Sequence, residues 1–335
     1  MRKRKNDEVI RIYEWPKEGV FTFLPFWLPA GASGKITLTH EVAKAGSKLP
    51  VVSWRNAIFM GLHRANLVLD TDVIIHRMKE EDEGCWMSTI PQEIEQHNRQ
   101  LKRAHGSVLV GGLGIGLAVG ILHQNRKVTK ITVLETNPDI ARLVEPWLPS
   151  GKAKVIHDDL YSWLKCVKKA GISYDFAYYD IWCPTGQYMF TKHILPLRRL
   201  SLGVVPQNQI ELWNELEVLG QIEHGLMPWI GGREYWANML KARKDMSGTK
   251  NPFDMTKEQF AEFGSFNREV WPFAAWCHAN QPTQERARLQ ARRYMNALRD
   301  AELYDEVWKE WENYGKTNGQ AVSTGSGKGD SRPTS

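Results

Sequence analysis

The chain has few of the features that mark secreted, membrane-spanning or metal-stapled proteins. Its four cysteines among 335 residues show no CxxC spacing, so the sequence indicates neither a disulfide framework nor a zinc site. No run of about eighteen apolar residues occurs, and no signal peptide is recognisable. These absences predict a soluble, cytoplasmic protein in a reducing compartment, with no membrane partner and no metal.

The basic residues form no stripe or block, apart from the RKRK cluster at residues 2–5. Lys and Arg number 44 against 38 acidic residues, and the net charge of +6 is spread along the chain. Residues 2–5 are typical of a solvated, disordered terminus. A nucleic-acid partner is compatible with the charge, but no basic surface pattern in the sequence supports it.

Strand and helix patterns alternate through the middle of the chain. Short apolar runs are followed by helical segments, which favours βαβ units and a parallel sheet. The pattern predicts an α/β, Rossmann-like fold with a mostly parallel sheet and helices on both faces. The expected strands are SVLVGG, KITVLE, AKVIHD, YDFAYYD and NQIELW.

Composition divides the chain into four predicted segments. Residues 1–90 are rich in β-branched and aromatic residues and predict an N-terminal antiparallel β unit, while residues 91–225 carry the alternating pattern. Residues 226–315 predict a helical, Trp-rich extension, with an amphipathic helix over 283–313 that packs on the core or on a second copy in a homo-oligomer. Residues 316–335 are poor in apolar side chains and predict a disordered tail.

Glycines crowd the turn after the first middle strand. The stretch VLVGGLGIGLAVG places Gly112, Gly114 and Gly116 in GxGxG spacing. The dinucleotide fingerprint GxGxxG fails because Val119 occupies its third glycine position, and no GK[ST] follows for a phosphate-binding loop. GxGxG is the spacing usual in proteins that bind S-adenosylmethionine, although a structural turn is an equal alternative.

Acidic residues follow the next two predicted strands. Glu135 in VLETN lies where a carboxylate can accept hydrogen bonds from both ribose hydroxyls of a nucleoside. Asp158 or Asp159 in VIHDDLYSWL can accept from an adenine amino group. Each acid alone also suits a helix cap or a solvated position. Their order at successive strand ends, after the glycine turn, favours a nucleoside-binding site.

Residues 85–190 resemble the class I S-adenosylmethionine-dependent methyltransferases, and within them the spermidine synthase branch. VLVGGLGIG is similar to that branch's VLVIGGGDG, VLETNPDI to its VEID, and DDLYSWL to its DGxxFL. YDFAYYDIWCPTG is similar to its YDVIIVDSSDPxG, and PQEIEQH to its YQEMxxH. The resemblance implies a class I methyltransferase fold, S-adenosylmethionine as cofactor and transferase activity.

The sequence departs from that branch at positions important for its reaction. The Asp of GGGDG falls on Ile115, and the second acid of its DxxD pair falls on Cys183, so only Asp180 remains. Val110 stands two residues before Gly112, where an acid usually anchors the methionine amine. A diamine needs two well-placed anions, so aminopropyl transfer is disfavoured and methyl transfer is favoured.

Candidate catalytic and acceptor residues surround the end of the fourth strand. Asp180 is the candidate general base or acceptor anchor, with a strand-end turn as the alternative. Trp182 can wall the acceptor site by stacking, with a packed core position as the alternative. Glu93 and His97 align with residues that close over the cofactor in the resembled family, while their i, i+4 spacing also suits a surface pair.

The sequence leaves three functions open. The first is a methyltransferase that uses S-adenosylmethionine on an unidentified acceptor, either a small molecule or a macromolecule. The second is an aminopropyltransferase acting on a polyamine. The third is a nucleoside-binding or scaffold protein without catalytic activity, because a fold alone does not fix a function.

Overall fold

The computed structural model describes most of the chain, namely residues 10–15, 20–50, 66–81, 84–182, 188–243, 248–264, 269–300, 303–307 and 309. Two compact units divide the chain at Gln221 and Ile222, inside a long helix. Within the ranges given, no helix is both long and apolar enough to cross a membrane. The predicted division into four segments stays a prediction, and the predicted tail lies outside the described residues.

The N-terminal half of the first unit is a β structure. Its strands are β1 (Tyr13–Trp15), β2 (Val20–Thr22), β3 (Gly31–Ser33), β4 (Ile36–Ala43), β5 (Lys48–Pro50), β6 (Asn66–Val68), β7 (Val73–Glu80) and β8 (Gly84–Ser88). The long strands β4 and β7 pair antiparallel over their whole length. Ile36 and Leu38 alternate with exposed Thr37 along β4, so this sheet buries one face.

One strand pair in this sheet corrects the prediction of an antiparallel unit. β2 runs parallel to β7, with Phe21 opposite Val73 and Thr22 opposite Ile74. Antiparallel pairing is required only where a short turn joins neighbouring strands. Residues 23–72 separate β2 from β7, and this stretch is long enough for the chain to re-enter the sheet in either direction.

The second half of the first unit is the predicted α/β fold. Its strands are β9 (Gly106–Gly111), β10 (Val128–Leu134), β11 (Ala153–Ile156), β12 (Phe176–Tyr179) and β13 (Ile210–Leu212). They form a five-stranded sheet in the order β11-β10-β9-β12-β13, in which each neighbouring pair is parallel. Central strands of such a sheet are covered on both faces, which is why their sequences are continuous apolar runs.

Helices precede and connect these strands. They are α1 (Pro91–Leu101), α2 (Leu117–Gln124), α3 (Pro138–Val144), α4 (Leu160–Lys169) and α5 (Leu195–Ser201). The Asn137 side chain accepts a hydrogen bond from the Asp139 amide, and Pro138 opens α3. Lys168 and Lys169 lie in the last turn of α4.

The strand order determines where a ligand can enter. β9 lies at the centre of the sheet, and the connections from β9 and from β12 lead away from each other. Such a reversal opens a crevice at the carboxyl ends of the strands. The glycine turn after β9 and Asp180 after β12 therefore lie on either side of one opening.

The second unit is helical, as the sequence predicts. It contains the end of α6 (Glu215–Ala242), which changes direction at Gly232, followed by α7 (Lys257–Gly264), α8 (Trp271–Asn280) and α9 (Gln284–Ala297). Aromatic rings supply its packing: Trp229 lies 5.0 Å from Trp236 and 5.6 Å from Phe260 between ring centroids. The many tryptophans of this region therefore build a core.

The amphipathic helix predicted over residues 283–313 is shorter than expected. Thr283 caps α9, but this helix ends at Ala297, residues 298–300 are not helical, and the described residues 303–307 are helical again. The Asp300 side chain accepts a hydrogen bond from the Leu303 amide, so it starts a new helical turn where the pattern continues unbroken. Tyr294, the largest apolar residue of the pattern inside α9, is fully buried.

Candidate functional site

A cavity of about 580 Å³ lies at the carboxyl ends of the parallel strands, and this volume is typical of small-ligand sites. Most of the predicted site residues line it, namely Glu93, His97, Gly112, Gly114, Glu135, Asp158, Asp159, Asp180 and Trp182. Gly116 does not line it. It begins α2 instead, and a Cβ there would lie 2.8 Å from the Phe26 ring.

The glycine turn adopts backbone conformations that favour glycine. Gly112, Gly114 and Gly116 have φ angles of 89°, 49° and 74°. A Cβ at Gly112 would lie 2.0 Å from the Asp180 carbonyl oxygen, and one at Gly114 would lie 2.5 Å from the Met87 sulfur. These glycines therefore make room for protein atoms as well as bordering the cavity.

Glu135 is buried at the end of β10 and ties this strand to the glycine turn. One carboxylate oxygen accepts from the Leu113 amide at 2.9 Å, and the other accepts from the Asn137 amide at 2.7 Å. Each oxygen keeps a further lone pair, and Glu135 lines the cavity. The carboxylate is thus fixed in place and can still accept hydrogen bonds from a ligand.

The two acids after β11 differ in the hydrogen bonds that they make within the protein. Asp159 accepts from the Ser162 amide at 2.9 Å and so caps α4, which is the structural alternative for this residue. Asp158 is exposed, and within the described residues it accepts a local bond from the Asp159 amide at 2.7 Å. Asp158 is therefore freer to bind a ligand than Asp159.

His97 and Asp180 lie close to each other in the cavity wall. His97 is wholly buried, and its Nδ1 lies 2.9 Å from the Glu93 carbonyl oxygen. Since a carbonyl only accepts, Nδ1 carries the hydrogen, and the uncharged form of the ring presents a lone pair at Nε2. Nε2 lies 3.7 Å from Asp180 Oδ2, too far for a hydrogen bond. Two acceptors therefore face each other.

Glu93 supports this arrangement from the same helix. Its carboxylate accepts from the amide and the hydroxyl of Ser88, at 2.7 and 2.9 Å. Burial raises the pKa of Glu93, and the two hydrogen bonds from Ser88 oppose that increase. Because His97 is buried, Glu93 and His97 do not form a surface pair.

Aromatic side chains form another part of the cavity wall. Trp182 is buried and stacks on His193, with ring centroids 5.4 Å apart and an interplanar angle of 12°. The Tyr161 hydroxyl lies 2.7 Å from His193 Nδ1, and burial raises the pKa of Tyr161 to about 12. Burial, followed by the charge of Asp180, raises the pKa of Tyr178 well above its ordinary value.

Sequence reasoning missed several residues of the cavity wall, among them Trp86, Met87, Lys192, His193 and Trp213. Trp213 directly follows β13, so the strand-end signal that located Asp180 could have found it. Trp86 and Met87 belong to β8 in the other sheet, and His193 belongs to a single π-helical turn. No spacing in the sequence relates these residues to the glycine turn.

The residues at which the sequence departs from the spermidine synthase branch are either buried or outside the described part of the chain. Val110 and Ile115 are wholly buried in the hydrophobic core, and neither lines the cavity. Cys183 lies outside the described residues. The resemblance to the spermidine synthase branch therefore stays a prediction.

Comparison with known proteins gives distant structural likenesses only. No family model matches the chain, and no curated protein matches it in sequence. A SAM-dependent methyltransferase from Agrobacterium tumefaciens is 11% identical with a TM-score of 0.29, over 41% of this chain and 49% of that one. The plantazolicin methyltransferase BpumL in complex with SAH is 14% identical with a TM-score of 0.23, over 58% and 74%. The chain thus spans about half the length of the first.

Proposed function

We propose that the chain is an S-adenosylmethionine-dependent methyltransferase. One observation carries this proposal: Glu135, Asp158 and the edge of the glycine turn line one cavity at the point where the strand order reverses. Vicinal ribose hydroxyls and an adenine amino group are hydrogen-bond donors, and carboxylates only accept. The acids at the ends of β10 and β11 match both parts of an adenosyl group.

The cavity also suits a positively charged ligand. Carboxylates of Glu135, Asp158 and Asp159 line it where β10 and β11 end. When bound, S-adenosylmethionine supplies a methyl group already activated by a sulfonium charge. Negative charge in a partly enclosed cavity favours such a cation.

The chain's own residues would then position the acceptor and exclude water. Asp180 follows β12 directly and is placed to orient an acceptor or hold its proton. Trp182 and Trp213 cover apolar parts of the wall. Since an activated methyl group needs little further chemistry, correct positioning supplies much of the rate.

Two other functions remain alternatives to methyl transfer. An aminopropyltransferase would prefer decarboxylated S-adenosylmethionine, but that compound keeps its amine, and the buried Val110 and Ile115 supply no acid to hold it. A scaffold protein would bind neither form. The net charge of +6 leaves the acceptor open between a small molecule and a macromolecule, nucleic acid included.

Calorimetry tests the proposal with S-adenosylmethionine, its decarboxylated form and S-adenosylhomocysteine. We expect binding of the first and third, and a loss of at least about tenfold in affinity for Glu135→Ala, because the hydrogen bonds to ribose are removed. Asp180→Ala should leave this affinity within about twofold. Label from methyl-labelled cofactor should reach a component of a cell extract with the wild-type protein and less with Asp180→Ala.

Glu145→Ala is the matched control, because Glu145 is exposed and does not line the cavity. Its affinity should equal that of the wild type, and thermal melts should show that all variants are folded. Stronger binding of the decarboxylated form would replace methyl transfer by aminopropyl transfer. No binding of any of the three compounds would remove both enzymatic functions.

A further inference from the structure

Three residues of the cavity wall close to Asp180, which form its acceptor end, each carry a buried polar atom without a hydrogen-bond partner in the part of the chain that the structure describes. These atoms are His97 Nε2, the Tyr178 hydroxyl and Trp182 Nε1. Buried polar side chains are nearly always paired in folded proteins. Three such atoms on one cavity wall therefore indicate a ligand that pairs with them.

The His97 ring is held so that Nε2 keeps this direction. Nδ1 donates to the Glu93 carbonyl oxygen, one turn earlier in α1. The ring packs against Trp213, with centroids 4.6 Å apart, and against Tyr178 at 5.6 Å. A rotation toward another partner would break the hydrogen bond and the packing together.

The two facing acceptors define the group that can bind between them. His97 Nε2 and Asp180 Oδ2 are 3.7 Å apart, so one donor atom can reach both. A hydroxyl has a single hydrogen and satisfies one acceptor. A primary amino group gives one hydrogen to each and keeps its lone pair free.

The surroundings favour an uncharged, conjugated amine over an alkylammonium ion. Asp180 has Lys192 in the same cavity wall, and burial, which disfavours ionisation, raises the pKa of Glu93. The wall is built from the rings of Trp182, Tyr178 and Trp213, which suit a planar ligand. Trp182 Nε1 and the Tyr178 hydroxyl are donors and need acceptor atoms on it.

We propose that this end of the cavity binds an amino-substituted heteroaromatic ring, and that His97 Nε2 takes the proton of its amino group. This proposal rests on the proposed methyl transfer. As the nitrogen lone pair forms a bond to the methyl carbon, the bond from that carbon to sulfur breaks and its electron pair stays on sulfur. The nitrogen then loses one proton to His97, and Asp180 balances the charge of the imidazolium.

Binding of small fragments tests the proposal without turnover. The probes are 2-aminopyridine and 2-methylpyridine, which differ only in an amino and a methyl group, with benzylamine as the alkylammonium comparison. The measurement is NMR titration of the ¹⁵N-histidine-labelled full chain at mildly alkaline pH, with and without S-adenosylhomocysteine. We expect 2-aminopyridine to bind at least about tenfold more tightly than either other probe and to shift the His97 Nε2 resonance.

Two variants locate the preference. His97→Gln should reduce the preference for the amino over the methyl probe about tenfold, and so should Asp180→Asn, whose amide can donate to Nε2 and occupy it. His105→Gln is the matched control, because His105 is exposed and bonded only locally. Both cavity variants should keep wild-type affinity for S-adenosylhomocysteine, and thermal melts should show that both are folded.

The outcomes separate this proposal from the proposed function. If S-adenosylhomocysteine binds but the wild-type protein does not prefer 2-aminopyridine, or if the preference survives in His97→Gln, the heteroaromatic-amine proposal is wrong and methyl transfer stands. Tighter binding of benzylamine also overturns it. If S-adenosylhomocysteine does not bind, methyl transfer fails independently of the fragment result.

Discussion

At the scale of single residues, Gly112 is the position where one added methyl group would disturb the site most. Its φ of 89° is unfavourable for alanine, and the new Cβ would lie 2.0 Å from the Asp180 carbonyl oxygen. We expect Gly112→Ala to lower the free energy of unfolding by at least about 3 kcal/mol, measured by urea denaturation.

Gly151→Ala separates the backbone strain from the collision. Gly151 has a φ of 102°, and a Cβ there would meet no atom within 4 Å. Its substitution should therefore cost only the left-handed conformation, about 1 kcal/mol. Equal losses at Gly112 and Gly151 would show that contact with Asp180 is unimportant.

His76 makes stability depend on pH. It is wholly buried beside His40, with ring centroids 4.7 Å apart, and burial together with the charge of His40 lowers the pKa of His76 from 6.5 to about 3. Between these values the unfolded chain binds more protons than the folded chain. The stabilisation is therefore present above about pH 6.5 and is lost as the pH falls toward 3.

Urea denaturation across pH measures this effect. We expect the free energy of unfolding to fall between about pH 6.5 and 5, a window in which few carboxylates titrate. His76→Phe keeps a ring at this position and should flatten that part of the profile. His105→Gln, at an exposed histidine, should retain the wild-type slope. An unchanged slope in His76→Phe would assign the pH dependence to other groups.

At the scale of elements, the start of α4 separates a structural acid from a ligand-binding one. Asp159 caps the helix, so Asp159→Ala should lower the free energy of unfolding by about 1 kcal/mol. Asp158→Ala should change it by less than about 0.5 kcal/mol but weaken S-adenosylhomocysteine binding. Urea denaturation and calorimetry measure the two effects. The opposite assignment would follow if Asp158→Ala were the destabilising change.

The elements that sequence predicts well are those with locally determined signals. β9 and β12 are continuous apolar runs because both faces of their sheet are covered. Asn137 caps α3 through its own side chain. The parallel pairing of β2 with β7 was not predictable, because it depends on contacts between residues far apart in sequence. Similarly, Asp300 interrupts an apolar spacing that continues past it.

The site was predictable where topology brings sequence signals together. Glu135 follows β10 and Asp180 follows β12, the two strands that flank β9, and parallel strands place such ends at one edge. Met87 and His193 carry no comparable signal, because β8 reaches the cavity from the other sheet and His193 depends on a π-helical turn. The orientation of His97 Nε2 follows from a hydrogen bond and ring packing, which only the folded structure specifies.

At the scale of the molecule, a buried ion pair secures the last strand of the parallel sheet. Arg198 in α5 donates to both carboxylate oxygens of Glu215 at the start of α6, at 2.8 and 2.7 Å, and both residues are buried. Removal of one partner leaves an uncompensated buried charge. We expect Arg198→Met to lower the free energy of unfolding by about 3 to 5 kcal/mol, measured by urea denaturation.

The double variant tests the reason for that loss. Arg198→Met combined with Glu215→Leu removes both charges and should recover most of the stability lost in Arg198→Met. If the double variant is as unstable as the single one, the packing of the arginine side chain accounts for the effect rather than the unpaired charge.

The contact between Met87 and the glycine turn limits which N-terminal sheets could be combined with this parallel sheet in a chimera. The Met87 sulfur accepts a hydrogen bond from the Ile115 amide at 3.5 Å and occupies the space that the missing side chain of Gly114 leaves. A chimera that replaces the N-terminal sheet must therefore supply a thioether at the same place. The glycine motif after β9 and the strand β8 therefore depend on each other structurally, although β8 and β9 belong to different sheets.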